Sequence, residues 1–276
     1  MDVKQIWGET AKQLKKVYSW REAQSISYLL LEDLFGLKKE DVIANTQKKI
    51  DKDKLREATE RLLQNEPLQY ATGIAHFYGR KFKIKRETLI PRPETEELVH
   101  LIIKENNITT PKILDVGTGS GCIGITLALE TKGEVIATDI SGDALIIASA
   151  NASRLKALMV FKKHDILHEE LRERQLDILV SNPPYLPESD KHKMHANVLD
   201  YEPKAALFVS DEDPLMFYKK IGKEGKRCLK TEGKLYFEIH ERYGNEVKNL
   251  LKNLDYRQVK IHKDMQEKNR MVSAVN

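Results

Sequence analysis

Cysteine is nearly absent. Cys122 and Cys228 are the only two in 276 residues, and they lie far apart, so no disulfide framework and no cysteine-rich zinc site is available. A reducing, cytoplasmic setting is the expectation that follows. Long apolar runs are missing as well: nothing approaches the roughly 20 residues that a bilayer-spanning helix needs. The stretch from Met1 to Tyr18 carries charge throughout and lacks the apolar centre of a signal peptide. Neither sign of charge dominates. The 46 basic and 42 acidic residues leave a net charge of +4, which permits a nucleic-acid or ribosome-associated partner without arguing for one. No heptad is sustained, and no repeat of roughly 20–50 residues appears. What remains is a chain 41% apolar and 32% charged. That is too apolar for disorder, and the chain is long enough to bury a proper core in one large domain or two smaller ones.

Residues 1–76 read as helices only. Ile26, Leu29, Leu30, Leu34 and Leu37 recur at helical spacing, and so do Leu55, Ala58 and Leu62 in a segment that ends at Asn65-Glu66-Pro67. Trp7, Trp20, Tyr28 and Phe35 are read as core rather than as a stacking surface. Apolar and polar residues alternate around Gly79 from Phe77 to Ile84, which suggests a short hairpin, and a linker is placed at 77–88. Pro91 and Pro93 force an extended stretch; the acids Glu94, Glu96 and Glu97 suit the first turn of a helix. From Lys112 onward strands and helices alternate. Strands are expected at 112–116, 134–138, 159–163, 176–181, 234–240, 257–262 and 271–275. Helices are expected near 122–130, 142–156, 214–227 and 242–254. The implied class is α/β, with a mostly parallel sheet covered on both faces, over a second domain of 89–276.

Asp115-Val116-Gly117-Thr118-Gly119-Ser120-Gly121 follows a strand and opens a helix. Glycines let the backbone turn tightly and let a ligand approach closely, and the helix N-terminus adds amide donors. Gly119-x-Gly121-x-x-Gly124 fits the dinucleotide fingerprint but leaves Gly117 as an extra residue in the turn. The pattern Asp115-x-Gly117-x-Gly119-x-Gly121 resembles that of class I S-adenosylmethionine methyltransferases. The missing Walker lysine argues against a nucleoside triphosphate. Asp139 ends the next strand, where a carboxylate can accept both ribose hydroxyls of either ligand. Asp165, after the third strand, is a candidate acceptor for an adenine amino group, with Ile166 beside the ring. A helix N-cap is the competing reading of Asp165.

Asn182-Pro183-Pro184-Tyr185 ends the fourth strand, at the edge where open α/β sheets bind ligands. A planar amide or aromatic amine nitrogen is a poor nucleophile because its lone pair is delocalised. The side-chain oxygen of Asn182 and the carbonyl of Pro183 can accept its two N–H groups. Pro183 and Pro184 stiffen the backbone, so these acceptors are preorganised for the charge that develops as a methyl group arrives. The nitrogen is held in line with a sulfonium methyl. Tyr185 offers a flat face for a planar group, and its π-cloud favours positive charge. Asn182, Pro183 and Tyr185 are therefore the candidate catalytic residues, and Pro184 joins them in binding substrate. A strand merely stopped by prolines would explain Pro183 and Pro184, but neither Asn182 before them nor Tyr185 after. No strong base is evident, and none is needed if the proton leaves late or to water.

With both elements in hand, the chain resembles the HemK/PrmC family, which methylates the glutamine in the Gly-Gly-Gln motif of class I peptide chain release factors. The likeness runs over nearly the whole chain. It includes Glu66-Pro67-Leu68-Gln69-Tyr70-Ala71-Thr72-Gly73, Phe77-Tyr78-Gly79 and Leu89-Ile90-Pro91-Arg92-Pro93-Glu94-Thr95-Glu96. It continues in Tyr201-Glu202-Pro203 with Ala206-Leu207, and in Gly233 with Glu238-Ile239. The stretch Leu89–Glu96 is highly specific, because Asn-Pro-Pro-Tyr methyltransferases of other classes do not carry it. The resemblance implies a class I S-adenosylmethionine-dependent methyltransferase domain, Rossmann-like with a seven-stranded sheet, behind a small five-helix N-terminal domain and a hairpin linker. It implies S-adenosyl-L-methionine as donor and S-adenosyl-L-homocysteine as product. It implies cofactor contacts from Gly117, Thr118, Gly119, Ser120, Gly121, Asp139, Ile166 and Asn182, and glutamine contacts from Asn182, Pro183, Pro184 and Tyr185. Residues 1–76 would dock the release factor. The chain departs from the family pattern at His240, where Gly is frequent, at Val209–Asp213, and at Ile166, where an aromatic is frequent.

The pairs His164/His168 and His192/His195 lie in polar segments without a supporting acid cluster and are read as solvated surface, so no metal is expected. Leu186 to Ala205 lacks periodicity and is read as a long loop forming part of a substrate lid. A DNA or RNA amino-methyltransferase acting on adenine is the alternative function, since the Asn182–Tyr185 chemistry serves adenine amines too; no strongly basic target-recognition segment supports it. A cofactor-binding protein without catalysis is a third reading, and an intact Asn182–Tyr185 argues against it. The leading reading requires neither a membrane nor direct nucleic-acid contact, and nothing in the sequence demands more than a monomer.

Overall fold

In a computed structural model that describes residues 2–276, five helices precede the first strand: α1 (Val3–Leu14), α2 (Trp20–Phe35), α3 (Lys39–Ile43), α4 (Lys52–Leu63) and α5 (Leu68–Thr72). Several start where a side chain takes an orphan amide. Asp2 accepts from the Gln5 N–H before α1, Ser19 from Glu22 before α2, and Asp51 from Asp53 and Lys54 before α4. Their apolar stripes meet in two clusters, one holding Val3, Ile6, Leu31 and Val42, the other Leu14, Leu30, Leu62 and Ala71. Trp7 stacks on Tyr28, with ring centroids 4.9 Å apart. Trp20 departs from the expectation of a core residue. It is the first residue of α2 and stands 43% exposed. Arg61 grips the buried Glu66 through two bonds of 2.6 and 2.9 Å and also donates to the Tyr70 and Ala71 carbonyls, so one guanidinium fork fixes the Glu66–Gly73 stretch.

A hairpin follows, β1 (Ile74–Phe77) and β2 (Arg80–Lys83), and begins earlier than the expected Phe77. Then come α6 (Pro93–Glu105), β3 (Lys112–Val116), α7 (Cys122–Thr131), β4 (Glu134–Asp139), α8 (Gly142–Leu155), β5 (Met159–Lys163), β6 (Leu176–Ser181) and β7 (Leu186–Pro187). The chain ends with α9 (Ala196–Tyr201), α10 (Lys204–Leu207), β8 (Phe208–Val209), α11 (Met216–Cys228), β9 (Leu229–Glu238), α12 (Gly244–Asn253), β10 (Arg257–Lys263) and β11 (Asn269–Val275). The main sheet has seven strands in the order β10-β11-β9-β6-β3-β4-β5. β11 runs antiparallel to both neighbours, and the other pairings are parallel.

Side-chain alternation assigns the two faces. Leu114, Leu179, Leu235 and Phe237 pack with Tyr218 and Ile221 of α11 and Val247 and Leu251 of α12. Ile113, Ile178, Val180 and Tyr236 pack with Leu98 and Ile102 of α6, Ile125 and Leu127 of α7 and Ala152 of α8. Two expectations need correction. β9 begins at Leu229 rather than near 234, because its ladder with β6 is interrupted between the Leu176–Leu229 and Ile178–Lys234 pairs, and the polar residues of that bulge break the apolar pattern. The stretch 186–205 is not a loop. It holds β7, a 3-10 turn at Glu188–Lys193 and α9; α9 buries no residue, so it leaves no periodic signature.

The chain forms two compact units, one of residues up to Ile74 together with His195–Tyr201, the other of Ala75–Met194 with Glu202–Asn276. Among the described residues no helix is long and apolar enough to cross a membrane.

Candidate active site

The strand order reverses beside β3: β4 and β5 extend the sheet to one side, and β6 returns to the other. Ligands of open α/β sheets bind at such a switch, outside the carboxyl ends of the strands. Val116 and Ser181 are register partners at those ends, so the glycine loop and Asn182 leave the sheet side by side.

The loop is tied down from below. The Gly117 and Thr118 amides both donate to the Thr138 carbonyl at 2.9 Å, and the Gly119 amide donates to Asp139 Oδ2 at 2.8 Å. Asp115 Oδ2 accepts from Thr118 Oγ1 at 2.6 Å and from the Gly124 amide at 3.0 Å, binding the loop to the start of α7. The fully buried Asn151 reaches across from α8, exchanging two bonds with Lys83 and donating to the Ser120 carbonyl at 3.0 Å. Gly121 is required by packing: its φ is +83°, and a Cβ there would stand 2.8 Å from Ile125 Cδ1 and 3.1 Å from Ala148 Cβ. At Gly119, with φ +54°, nothing lies within 4 Å of a Cβ, so the loop opens there onto free space.

Burial pushes the Asp115 carboxyl up to about 7, against the opposing bonds from Thr118 and Gly124. Its Oδ1 is buried without a hydrogen-bond partner. Burial also raises Asp139, opposed by the amides of Ser141 and Gly119. An open glycine face, a carboxylate at the end of β4 and an orphaned carboxylate oxygen beneath the loop fit an adenosyl cofactor with a cationic end. Asp165 sits differently. Its Oδ1 accepts from the Leu167 amide at 3.0 Å and its Oδ2 pairs with His168 Nδ1 at 2.8 Å; that His168 bond leads in holding its carboxyl below the ordinary value. These bonds close a local turn; no helix starts between β5 and β6, so Asp165 is not the helix N-cap of the competing reading. Ile166 is buried in the cluster that contains Leu114 and Val116.

At the end of β6, Asn182 Nδ2 donates to Thr95 Oγ1 at 3.3 Å. Thr95 in turn donates to Glu238 Oε2 at 2.6 Å, and the Tyr185 hydroxyl donates to Glu238 Oε1 at 3.1 Å. Glu238, the last residue of β9, is 1% exposed. Burial raises its carboxyl above the ordinary value, while the Thr95 and Tyr185 bonds and the Arg270 charge oppose the shift. His240, the residue that departs from the family pattern, packs edge-on to the Tyr185 ring with centroids 6.1 Å apart. The Leu89–Glu96 stretch is anchored by Glu202, which accepts from Arg92 Nη2 at 2.6 Å and from the Ile90 amide at 3.4 Å.

The sequence reading missed Asn151 altogether, and it quoted Thr95, Glu202 and Glu238 without partners. No pattern signals them, because each acts on a residue distant in the chain. Among the described residues no group of three or more potential metal ligands forms.

A seven-stranded sheet of this order, with a glycine loop after β3 and an Asn-Pro-Pro-Tyr corner after β6, defines a class I methyltransferase. The PrmC N-terminal domain family matches residues 5–73, and the methyltransferase small domain family matches residues 95–207. The release factor glutamine methyltransferase of Bacteroides thetaiotaomicron is 42% identical, over 95% of this chain and 96% of its own. That of Flavobacterium psychrophilum is 40% identical, over 99% of each. A methyltransferase crystal structure from Pyrococcus furiosus shares the fold, with a TM-score of 0.54 at 18% identity over 78% of this chain and 96% of that one. The chain belongs to the release factor glutamine methyltransferase family.

Proposed function

We propose that this protein transfers the methyl group of S-adenosyl-L-methionine to the side-chain amide nitrogen of the glutamine in the Gly-Gly-Gln motif of class I release factors. The observation that carries the reading is the register of β3 and β6, which sets an acceptor-bearing Asn-Pro corner beside an open glycine loop. When bound, the cofactor supplies an electrophilic methyl on a sulfonium. The amide nitrogen forms the new C–N bond, the sulfur keeps the electron pair of the broken S–C bond, and the amide proton passes to water. Gly117, Thr118, Gly119, Ser120 and Gly121 cradle the cofactor, Asp139 takes its ribose, and Asp165 and Ile166 border its adenine. Asn182 contacts both cofactor and substrate. Its Oδ1 and the Pro183 carbonyl accept the two amide N–H groups and hold the lone pair toward the methyl. Pro184 stiffens the corner and Tyr185 supports the planar carboxamide. Residues 1–76 dock the release factor, and the linker 77–88 joins them to the catalytic domain 89–276. Two cysteines far apart in the chain suit a reducing, cytoplasmic setting, and the enzyme acts as a monomer without nucleic acid.

The test is to incubate the enzyme with methyl-labelled donor, purified release factor and duplex DNA in one tube. Label on the Gly-Gly-Gln glutamine is expected, and Asn182→Ala should lower that labelling by about 10²–10³-fold while S-adenosylhomocysteine affinity stays within a few-fold. Label on DNA alone would overturn the reading in favour of an adenine methyltransferase.

A further inference from the structure

We propose that Thr95, its hydroxyl hydrogen held by Glu238, is the positioning residue that decides which way round the Asn182 carboxamide sits. The inference rests on the glutamine-methylation reading and adds to it a source for the orientation that the chemistry needs.

The argument is a count of protons. A threonine hydroxyl has one hydrogen to give and lone pairs to receive. Thr95 Oγ1 lies 2.6 Å from Glu238 Oε2 and 3.3 Å from Asn182 Nδ2. Both Glu238 oxygens accept hydroxyl hydrogens, Oε1 from Tyr185 and Oε2 from Thr95, so Glu238 takes the Thr95 hydrogen. Thr95 can then only accept from Asn182, and the side it receives must be the amide NH₂. Asn182 Oδ1 is thereby left to accept from another donor, which in the proposed reaction is the substrate amide. Were Glu238 a donor, the relay would run backwards: Thr95 would give its hydrogen to Asn182, the carboxamide would turn over, and an NH₂ group would meet the substrate N–H. Two donors facing each other cannot hold an amide nitrogen for attack.

The placement of Glu238 suits this task. It ends β9, and Phe237 beside it pairs with Ser181 beside Asn182, so sheet register alone brings it behind the corner. It is 1% exposed, which keeps water from competing for the Thr95 hydrogen. Its other oxygen accepts from Tyr185, so one carboxylate steadies both ends of the Asn182–Tyr185 corner. Its backbone carbonyl accepts from the buried Tyr218 hydroxyl at 3.1 Å. Nothing connects Glu238 directly to a reacting atom.

The experiment compares wild type, Thr95→Ser, Thr95→Val, Asn182→Ala and Thr95→Val/Asn182→Ala. Methyl transfer to purified release factor gives kcat and KM, and calorimetry gives S-adenosylhomocysteine affinity. Thr95→Val removes the relay hydroxyl at almost constant shape. It should lower kcat by about 10–10²-fold, the scale of a misoriented reacting group, with KM and cofactor affinity within about threefold. Thr95→Ser should restore kcat to within about threefold of wild type. In the Asn182→Ala background Thr95→Val should cost less than about twofold, because residues acting through one another are not additive. Equal loss in both backgrounds, wild-type turnover in Thr95→Val, or a Thr95→Ser as slow as Thr95→Val would each overturn the proposal. A wild type that labels no release factor sinks the functional reading instead. The orientation is then decided by NMR of the Asn182 side-chain amide, assigned by its disappearance in Asn182→Ala. Slow NH₂ exchange in wild type and Thr95→Ser, and fast exchange in Thr95→Val, is the expected result; equal exchange in all three would overturn it.

Discussion

Asp115 places a carboxylate where water does not reach, and the consequence is a dependence of stability on pH. Its ordinary value of 3.8 is pushed up to about 7 in the folded protein by burial. Between those two values the folded state holds a proton that the unfolded chain has released. The contribution of the group to stability is therefore complete below the lower value and is lost as pH rises through the upper one. Asp115→Asn abolishes this titration while keeping an acceptor for Thr118 and Gly124. The Tm of wild type minus that of the variant should be most favourable to wild type near about pH 4 and should shift toward the variant by about pH 8. A difference that stays flat across that range would show that the fold does not raise this carboxyl above its unfolded value. The orphaned Oδ1 adds a cost that does not vary with pH, because an asparagine NH₂ would have no acceptor there, so the titration is read from the slope of the difference and not from its sign.

At the scale of elements, the glycine loop depends on a residue that lies outside it. Asn151 accepts from the Lys83 amide at 2.7 Å and donates to the Lys83 and Ser120 carbonyls at 2.8 and 3.0 Å, so α8 clamps β2 and the loop together. Asn151→Ala leaves these groups without their partner, a loss of about 1–3 kcal/mol per buried group. Urea unfolding should show that destabilisation, and S-adenosylhomocysteine affinity should fall several-fold because the Ser120 carbonyl is released. A stability loss with unchanged affinity would mean that the loop holds its shape without the clamp. What could be read from sequence divides along the same line. β3, β5 and β6 have the predicted bounds because short runs closed by turn residues signal themselves locally. The glycine loop and Asn182–Tyr185 could be placed after β3 and β6 from sequence because each is a contiguous motif. Thr95 and Glu238 stand 143 positions apart, and Asn151 and Lys83 stand 68 apart. Only the sheet and its helices bring such pairs together, and no local pattern encodes that. Trp20 misled because helical spacing does not say which turn faces water.

At the scale of the whole molecule, four clusters of buried apolar residues form among the described residues, and each lies within a single unit. Both tryptophans, Trp7 and Trp20, belong to the first unit, so their fluorescence reports that unit alone. The proposed cofactor site lies in the second. A ligand at about 100 times its Kd stabilises the unit that binds it by about 2.7 kcal/mol, or about 5–10 °C for a unit near 200 residues. S-adenosylhomocysteine should therefore raise the main calorimetric transition by that amount and leave the tryptophan-detected transition within about one degree. The segment His195–Tyr201 refines the test. It departs from the second unit in sequence yet packs in the first, where the Tyr201 hydroxyl donates to the Gln64 carbonyl at 2.8 Å. Its amides should exchange with those of α4, unmoved by S-adenosylhomocysteine, while exchange along the glycine loop slows. If the tryptophan signal climbs in step with the calorimetric one, the two units unfold as one cooperative body, and separate apolar clusters do not make separate folding units in this chain.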